Sequence, residues 1–379
     1  MGSIAEEKES LTIGEQLKKA GIPRREFLEF CTKLMIAAPV GLAITKQAWA
    51  GEVADELAKV RRPSVVWLEF QDCTGCTETL LRTSRPSVDE LIFNVISLDY
   101  HETLMPGAGK QAEQALHAAV DGKDGKFFLV CEGSIPTKDN GDFLKIAGKK
   151  GTDLLQEVGS KAAAIIAMGS CASWGCVQAA KPNPTQATPI HKVITDKPIV
   201  RVPGCPPIPE VMTGVVTYML TFDRLPDVDA QGRPKMFYSQ RVHDKCYRRP
   251  HFDAGQFAEK FDDAGARMGY CLYKVGCKGP VTYNACSATR WNEGLSFPIQ
   301  SGHGCIGCSE DAFWDKGSFY DHLTTIKPPG LSGIEGTADQ IGLGVAAVAG
   351  AAVAVHAAVS AIKQARSKSR NDKVSEVEE

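Results

Sequence analysis

Between residues 61 and 230, short apolar runs recur at 64–70, 94–98, 127–130, 163–168 and 199–202. They are rich in β-branched residues, as strands buried on both faces should be. Helical stretches lie between them, 108–120 and 151–158 among them. Strands alternating with helices predict an α/β domain with a doubly wound parallel sheet, placed here at 51–230. From about 231 the pattern dissolves. Gly, Pro, Cys and aromatic residues dominate and no long periodic segment follows. Residues 231–330 therefore read as an irregular domain organised around something other than a sheet, with 331–340 as a linker.

Both ends of the chain carry their own signals. Residues 1–50 have a polar stretch ending in Ile22-Pro23-Arg24-Arg25-Glu26-Phe27-Leu28, an apolar run broken by Pro39, and Ala48-Trp49-Ala50 before Gly51. That is the layout of an export signal with an A-x-A cleavage site. The paired arginines before x-Phe-Leu resemble the twin-arginine type, which exports folded proteins. An amphipathic N-terminal helix is the plainer alternative. At the other end, 341–362 holds 22 residues without a formal charge. At about 1.5 Å per residue it reaches roughly 33 Å, enough for a bilayer core of about 30 Å. Gly342, Ala346, Gly350, Ala354 and Ala358 form a small-residue stripe suited to helix packing in a membrane. Lys363, Arg366, Lys368 and Arg370 follow. The positive-inside rule then puts the tail 363–379 in the cytoplasm and the body outside. A buried soluble helix is the competing reading. His356 lies within the span, where an ionisable residue marks function and a neutral imidazole suits an axial haem position.

Composition sharpens this picture at one point. With 43 basic and 45 acidic residues the formal charge is −2, so no basic excess points to nucleic acid. The outlier is cysteine, 13 of 379 residues. A chain this long does not need a disulfide scaffold. Cys73 and Cys76 follow the first strand, Cys131 ends the third, Cys171 follows the fourth and Cys205 the fifth. Open α/β sheets bind ligands at that edge. Cys73, Cys76, Cys171 and Cys205 make a four-thiolate set that suits zinc or a 4Fe–4S cluster. His243, Cys246, Cys271 and Cys277 make a second four-ligand set. Cys286, Cys305 and Cys308 make a third, fit for a 3Fe–4S cluster or, with His303, for zinc. Cys31 falls in the signal, and Cys131 and Cys176 are spare. Three sets in one exported chain point to an electron wire, since one would serve a structural role.

Sites for bond chemistry are missing. His101-Glu102-Thr103-Leu104-Met105 lacks the second His of a metalloprotease, and Pro106-Gly107-Ala108-Gly109-Lys110-Gln111 lacks the first Gly and the Ser/Thr of a phosphate loop. No G-x-S-x-G elbow occurs. His117 and His191 read as surface or satisfied core residues. No catalytic residue is therefore assigned to this chain, and a partner must supply the chemistry.

At this point the motifs resemble a family, the small subunit of membrane-bound nickel–iron uptake hydrogenases. The resemblance lies in Cys73-Thr74-Gly75-Cys76-Thr77-Glu78, Glu132-Gly133-Ser134-Ile135-Pro136, Pro203-Gly204-Cys205-Pro206-Pro207-Ile208-Pro209, His243-Asp244-Lys245-Cys246-Tyr247-Arg248-Arg249-Pro250, Gly276-Cys277-Lys278-Gly279-Pro280 and Gly304-Cys305-Ile306-Gly307-Cys308-Ser309-Glu310. It covers nearly the whole chain. It implies a flavodoxin-like domain followed by a cluster-binding domain. It implies a proximal 4Fe–4S cluster on Cys73, Cys76, Cys171 and Cys205, and a distal one on His243, Cys246, Cys271 and Cys277. The medial 3Fe–4S cluster falls to Cys286, Cys305 and Cys308, with Pro298 where a fourth cysteine would stand. It also implies a nickel–iron large subunit that splits hydrogen, a haem b shared with a cytochrome b through His356, and quinone as acceptor. The protein is then expected on the periplasmic side of the inner membrane.

One departure stands out. Oxygen-tolerant members of the resembling family carry two extra cysteines at the proximal cluster. Gly75 occupies one of those positions and Cys176 the other, so full oxygen tolerance is expected to be absent. Cys131, beside Glu132, is a candidate partial substitute, and Glu132 and Glu78 are candidates to tune protons there. Two rival readings remain: an iron–sulfur subunit of another exported membrane oxidoreductase, and a zinc-stabilised exported binding protein.

Overall fold

The structure is a computed structural model that describes residues 62–122, 127–222, 224–323 and 338–375. The export signal expected over 1–50, with Cys31, and most of the expected linker lie outside the described residues. The chain divides into two compact units, Met1–His322 and Leu323–Glu379.

Five strands form the central sheet of the first unit: β1 (Ser64–Glu69), β2 (Ser97–His101), β3 (Phe127–Glu132), β4 (Ala164–Met168) and β5 (Ile199–Val202). Their order is β2-β1-β3-β4-β5 and every pairing is parallel. This is the flavodoxin-type doubly wound order. Alternate strand residues face opposite ways, which splits the core in two. Trp67, Val130, Ile166 and Val202 pack with Val211, Met212, Val215 and Met219 of the helix Pro209–Phe222. Val66, Leu68, Leu129 and Ile165 pack on the other side, against Leu116 and Val120 of the helix Lys110–Asp121 and Leu154, Leu155 and Val158 of the helix Gly151–Lys161. Both faces are covered, which is why these strands read as continuous apolar runs.

The second strand departs from the sequence expectation. The apolar run Leu91–Val95 forms a π-helical turn, and the strand begins at Ser97. β2 is an edge strand paired only with β1. Its polar Ser97 and Asp99 escape a search for apolar runs.

From residue 231 to residue 322 the described chain is irregular, built of short helices, turns and isolated bridges within the first unit. The longest helix there, Arg249–Asp253, has 5 residues. The core of this region contains cysteines: Cys246 and Cys277 pack with Val242, Leu272, Val275, Phe297 and Ile299.

In the second unit, one helix runs from Ala338 to Ser375, 38 residues. At 1.5 Å per residue it is about 57 Å long. Gly342–Arg366 is long and apolar enough to cross a membrane, with mean hydropathy 2.1 and none of it buried. The expected span 341–362 falls inside this helix, and the helix continues into the basic tail.

Candidate functional site

The carboxyl edge of the sheet gathers the first cysteine set. We label the short helices there α1 (Gly75–Leu80) and α2 (Gly169–Trp174). Cys73 lies between β1 and α1, Cys76 on α1, Cys171 on α2 and Cys205 just past β5. Burial pushes the Cys76 thiol well above its usual range, and the charges of Glu132, Cys205 and Cys73 add to this. Gly169 has φ +82°, and a Cβ there would run into the Cys76 sulfur. Glycine is therefore required both by the backbone and by the thiol. Ser170 ties the edge to the next region. Its N–H donates to Gly204 O at 2.8 Å, its Oγ accepts the Gly204 N–H at 3.0 Å, and its hydroxyl donates to Cys308 O.

The second and third sets lie in the irregular region. Cys246 and Cys277 both act on Cys271, whose thiol is pushed up to about 11, mainly by burial. His243 is buried and meets Phe252 edge-on at 4.6 Å. Burial, then Arg249, lowers its pKa to about 4, so the imidazole is neutral at pH 7. Cys286, Cys305 and Cys308 interact with one another, and burial raises all three. The sets are contiguous. Cys308 lies against Cys205, and the Cys305 N–H donates to Cys277 Sγ at 3.3 Å. The third set thus sits between the other two. Pro298 is exposed between buried Phe297 and Ile299. His303 turns its ring to Gly304 O (2.8 Å) and to Tyr320 (3.4 Å).

The donor sets fit iron–sulfur clusters. All twelve described cysteines are free. Among the described residues, the ligand atoms of Glu69, Asp72 and Glu132 lie within 4.8 Å of one another, and no cysteine set is drawn together that tightly. Thiolates with one neutral imidazole are donors that both zinc and iron–sulfur clusters accept. Backbone N–H groups already aim at sulfur: Gly279 at Cys277 (3.4 Å) and Gly307 at Cys305 (3.4 Å). Buried thiols that resist ionisation lose their protons when a metal binds.

Beside Cys76 lies a polar network of which the sequence marked only Glu132 as a candidate. Glu132 ends β3 and is buried. It accepts the N–H groups of Cys76 (2.9 Å) and Thr77 (3.1 Å), the Thr77 hydroxyl (2.7 Å) and the Trp67 indole (3.3 Å). Burial pushes its carboxyl up and these donors oppose the shift. Glu69 reaches the Thr77 and Thr103 hydroxyls at 3.1 and 2.5 Å. Asp72 is raised to about 7 by burial and by Glu132 and Glu69. His101, set aside as a broken metalloprotease motif, is fully buried and stacks on Trp67 at 5.1 Å. A buried His next to the strand-end Glu residues was the available signal.

The remaining candidates separate. Cys176 is buried, receives the Trp314 indole N–H at 2.9 Å and has its thiol pushed up to about 12, first by Cys171. Cys131 is fully buried in β3 and raised by burial. Glu78 pairs with Arg82 at 2.5 Å on the exposed face of α1. Gly107, Ala108, Gly109 and Lys110 line a cleft of about 710 Å³ that also holds Glu102 and Glu113, which is unsuited to phosphate. His356 is exposed on the long C-terminal helix.

Residues 73–219 match the family described as NADH ubiquinone oxidoreductase, 20 Kd subunit, and 238–321 match the family that describes the C-terminal part of the NiFe/NiFeSe hydrogenase small subunit. The uptake hydrogenase small subunit of Azotobacter vinelandii is 58% identical over 357 residues, covering 94% of this chain and 98% of that one. Hydrogenase-1 small chain of Escherichia coli is 53% identical over 356 residues, covering 94% and 93%. Among solved structures, the reduced Ni-Fe-Se hydrogenase from Desulfomicrobium baculatum matches with TM-score 0.65 and 33% identity, over 69% of this chain and 100% of that chain. The [NiFeSe] hydrogenase from Desulfovibrio vulgaris Hildenborough gives 0.64 and 35%, over 69% and 98%.

Proposed function

Because this chain belongs to the small-subunit family of nickel–iron hydrogenases, we propose that it relays electrons from hydrogen oxidation in a large subunit, through three iron–sulfur clusters, to a membrane cytochrome b and quinone. Small subunits of this family bind iron–sulfur clusters, and the catalytic centre lies in the large subunit. The observation that carries the finer reading is the contiguity of the ligand sets, with Cys308 against Cys205 and Cys305 against Cys277.

In this reading Cys73, Cys76, Cys171 and Cys205 hold a proximal 4Fe–4S cluster. Cys286, Cys305 and Cys308 hold a medial 3Fe–4S cluster, and His243, Cys246, Cys271 and Cys277 a distal 4Fe–4S cluster. When bound, each cluster supplies a one-electron carrier, and cluster type, charge and hydrogen bonds set its potential. The residues do the tuning. Gly279 and Gly307 N–H groups hydrogen-bond to ligand sulfurs. Neutral His243 replaces one anionic thiolate at the far end. Glu132 places a buried carboxyl against the backbone of Cys76. The helix Ala338–Ser375 anchors the protein in the inner membrane with its basic end in the cytoplasm, and His356 ligates a haem b shared with the cytochrome. Export of the folded protein follows the twin-arginine route.

An electron paramagnetic resonance spectrum of the solubilised native complex, before and after hydrogen, tests this. The expected result is a sharp oxidised 3Fe–4S signal that disappears under hydrogen. A cluster signal indifferent to hydrogen would assign the wire to another oxidoreductase. Zinc in place of any cluster signal would overturn the reading.

A further inference from the structure

The hydrogen bonds around His101 have a direction. The Thr103 N–H donates to His101 Nδ1 at 3.2 Å, so the ring proton of the neutral imidazole sits on Nε2. Nε2 lies 3.2 Å from Thr77 Oγ1. The Thr77 oxygen therefore accepts from His101 and has a single proton left to give. Two carboxylates lie within reach of it, Glu132 Oε2 at 2.7 Å and Glu69 Oε1 at 3.1 Å, and the shorter contact takes it. His101, Thr77 and Glu132 are 0%, 1% and 1% exposed, so no bulk water competes for these bonds. Glu132 in turn covers the backbone N–H groups of Cys76 and Thr77, which begin the helix carrying Cys76.

We propose that His101 is a positioning residue for the proximal centre: through the Thr77 hydroxyl it holds Glu132 on the backbone N–H groups of Cys76 and Thr77. The arrangement keeps a carboxylate close to one ligand thiolate. The negative charge lowers the potential of a cluster held there, because it disfavours the reduced state. This inference rests on the reading that Cys73, Cys76, Cys171 and Cys205 hold a cluster.

The test is a reductive titration of the proximal signal, followed by electron paramagnetic resonance in the complex with the large subunit. Thr77→Val removes the hydroxyl at nearly constant shape, and His101→Phe removes the donor while keeping a ring against Trp67. Each should shift the oxidised-to-reduced ratio at fixed potential at least threefold toward reduction, about 30 mV at 59 mV per tenfold for one electron. Thr77→Ser should keep the parent potential. The double variant should shift no further than Thr77→Val alone, because both residues act through one chain. Equal potentials for Thr77→Val and Thr77→Ser would overturn the proposal, and this pair decides it by itself if His101→Phe does not assemble. A shift in Thr77→Val with none in an assembled His101→Phe would also overturn it. Absence of any proximal signal from the parent complex would count against the cluster reading; unaltered potentials count against this one.

Discussion

Cys176 holds its backbone at φ +51°, a left-handed conformation that strains a side chain and suits glycine. What it gains is the Trp314 indole N–H at 2.9 Å and contact with Cys171 and Cys205. Cys176→Gly should relieve the backbone and lose that one bond, leaving stability within about 1 kcal/mol of the parent. With Gly75 where the second extra thiol would stand, hydrogen oxidation should decline under oxygen in the parent and equally in the variant. Activity assayed in air, with a thermal midpoint alongside, checks both. His101 makes a different forecast. Burial lowers its pKa to about 4 from 6.5. The unfolded chain then takes up a proton below pH 6.5 that the folded protein refuses until about pH 4. Stability is lost over that window as pH falls, by roughly 2 kcal/mol at pH 5. Glu102 opposes it: burial raises its carboxyl to about 7, so the folded state gains a proton first. Relative to the parent, His101→Phe should therefore raise the thermal midpoint at pH 5 against that at pH 6.5, whereas Glu102→Gln should lower it.

At the scale of elements, the C-terminal helix carries the most separable prediction. His356→Ala should abolish the haem signal and hydrogen-dependent quinone reduction while leaving hydrogen-dependent reduction of a soluble dye, measured on membranes. The helix was legible in sequence because an uncharged run of this length has few other uses. β1, β3, β4 and β5 were legible for a related reason: they are covered on both faces, so most of their positions are apolar, with Glu69, Glu132 and Arg201 among the exceptions. β2 was not, because an edge strand alternates and the truly apolar neighbour, Leu91–Val95, became a π-helical turn. The four cysteines proposed for the proximal set stood out because each follows a strand of the sheet. His101, Thr77, Trp67 and Glu69 were not, because they lie on three different elements and only the parallel register of β1, β2 and β3 brings them together.

For the molecule as a whole, the central position of Cys286, Cys305 and Cys308 makes a distinction between chemistry and conduction. Cys286→Ser should leave hydrogen–deuterium exchange catalysed by the large subunit near the parent rate. Hydrogen-driven reduction of an acceptor at the distal end should fall more than tenfold. Measuring both on one preparation separates a broken wire from a broken active site, and equal losses would argue against the assignment of that set.

Ser170 gives this arrangement a mechanical side. One side chain and its own backbone bond the Cys205 turn through Gly204 and reach the Cys308 carbonyl. Tunnelling rates decay exponentially with the gap crossed, so thermal breathing between two carriers is felt far more strongly than an equal change in driving force. In the proposed wire, a clasp at that boundary would narrow the spread of gaps, and conduction through it would be a property of the folded chain more than of its fluctuations.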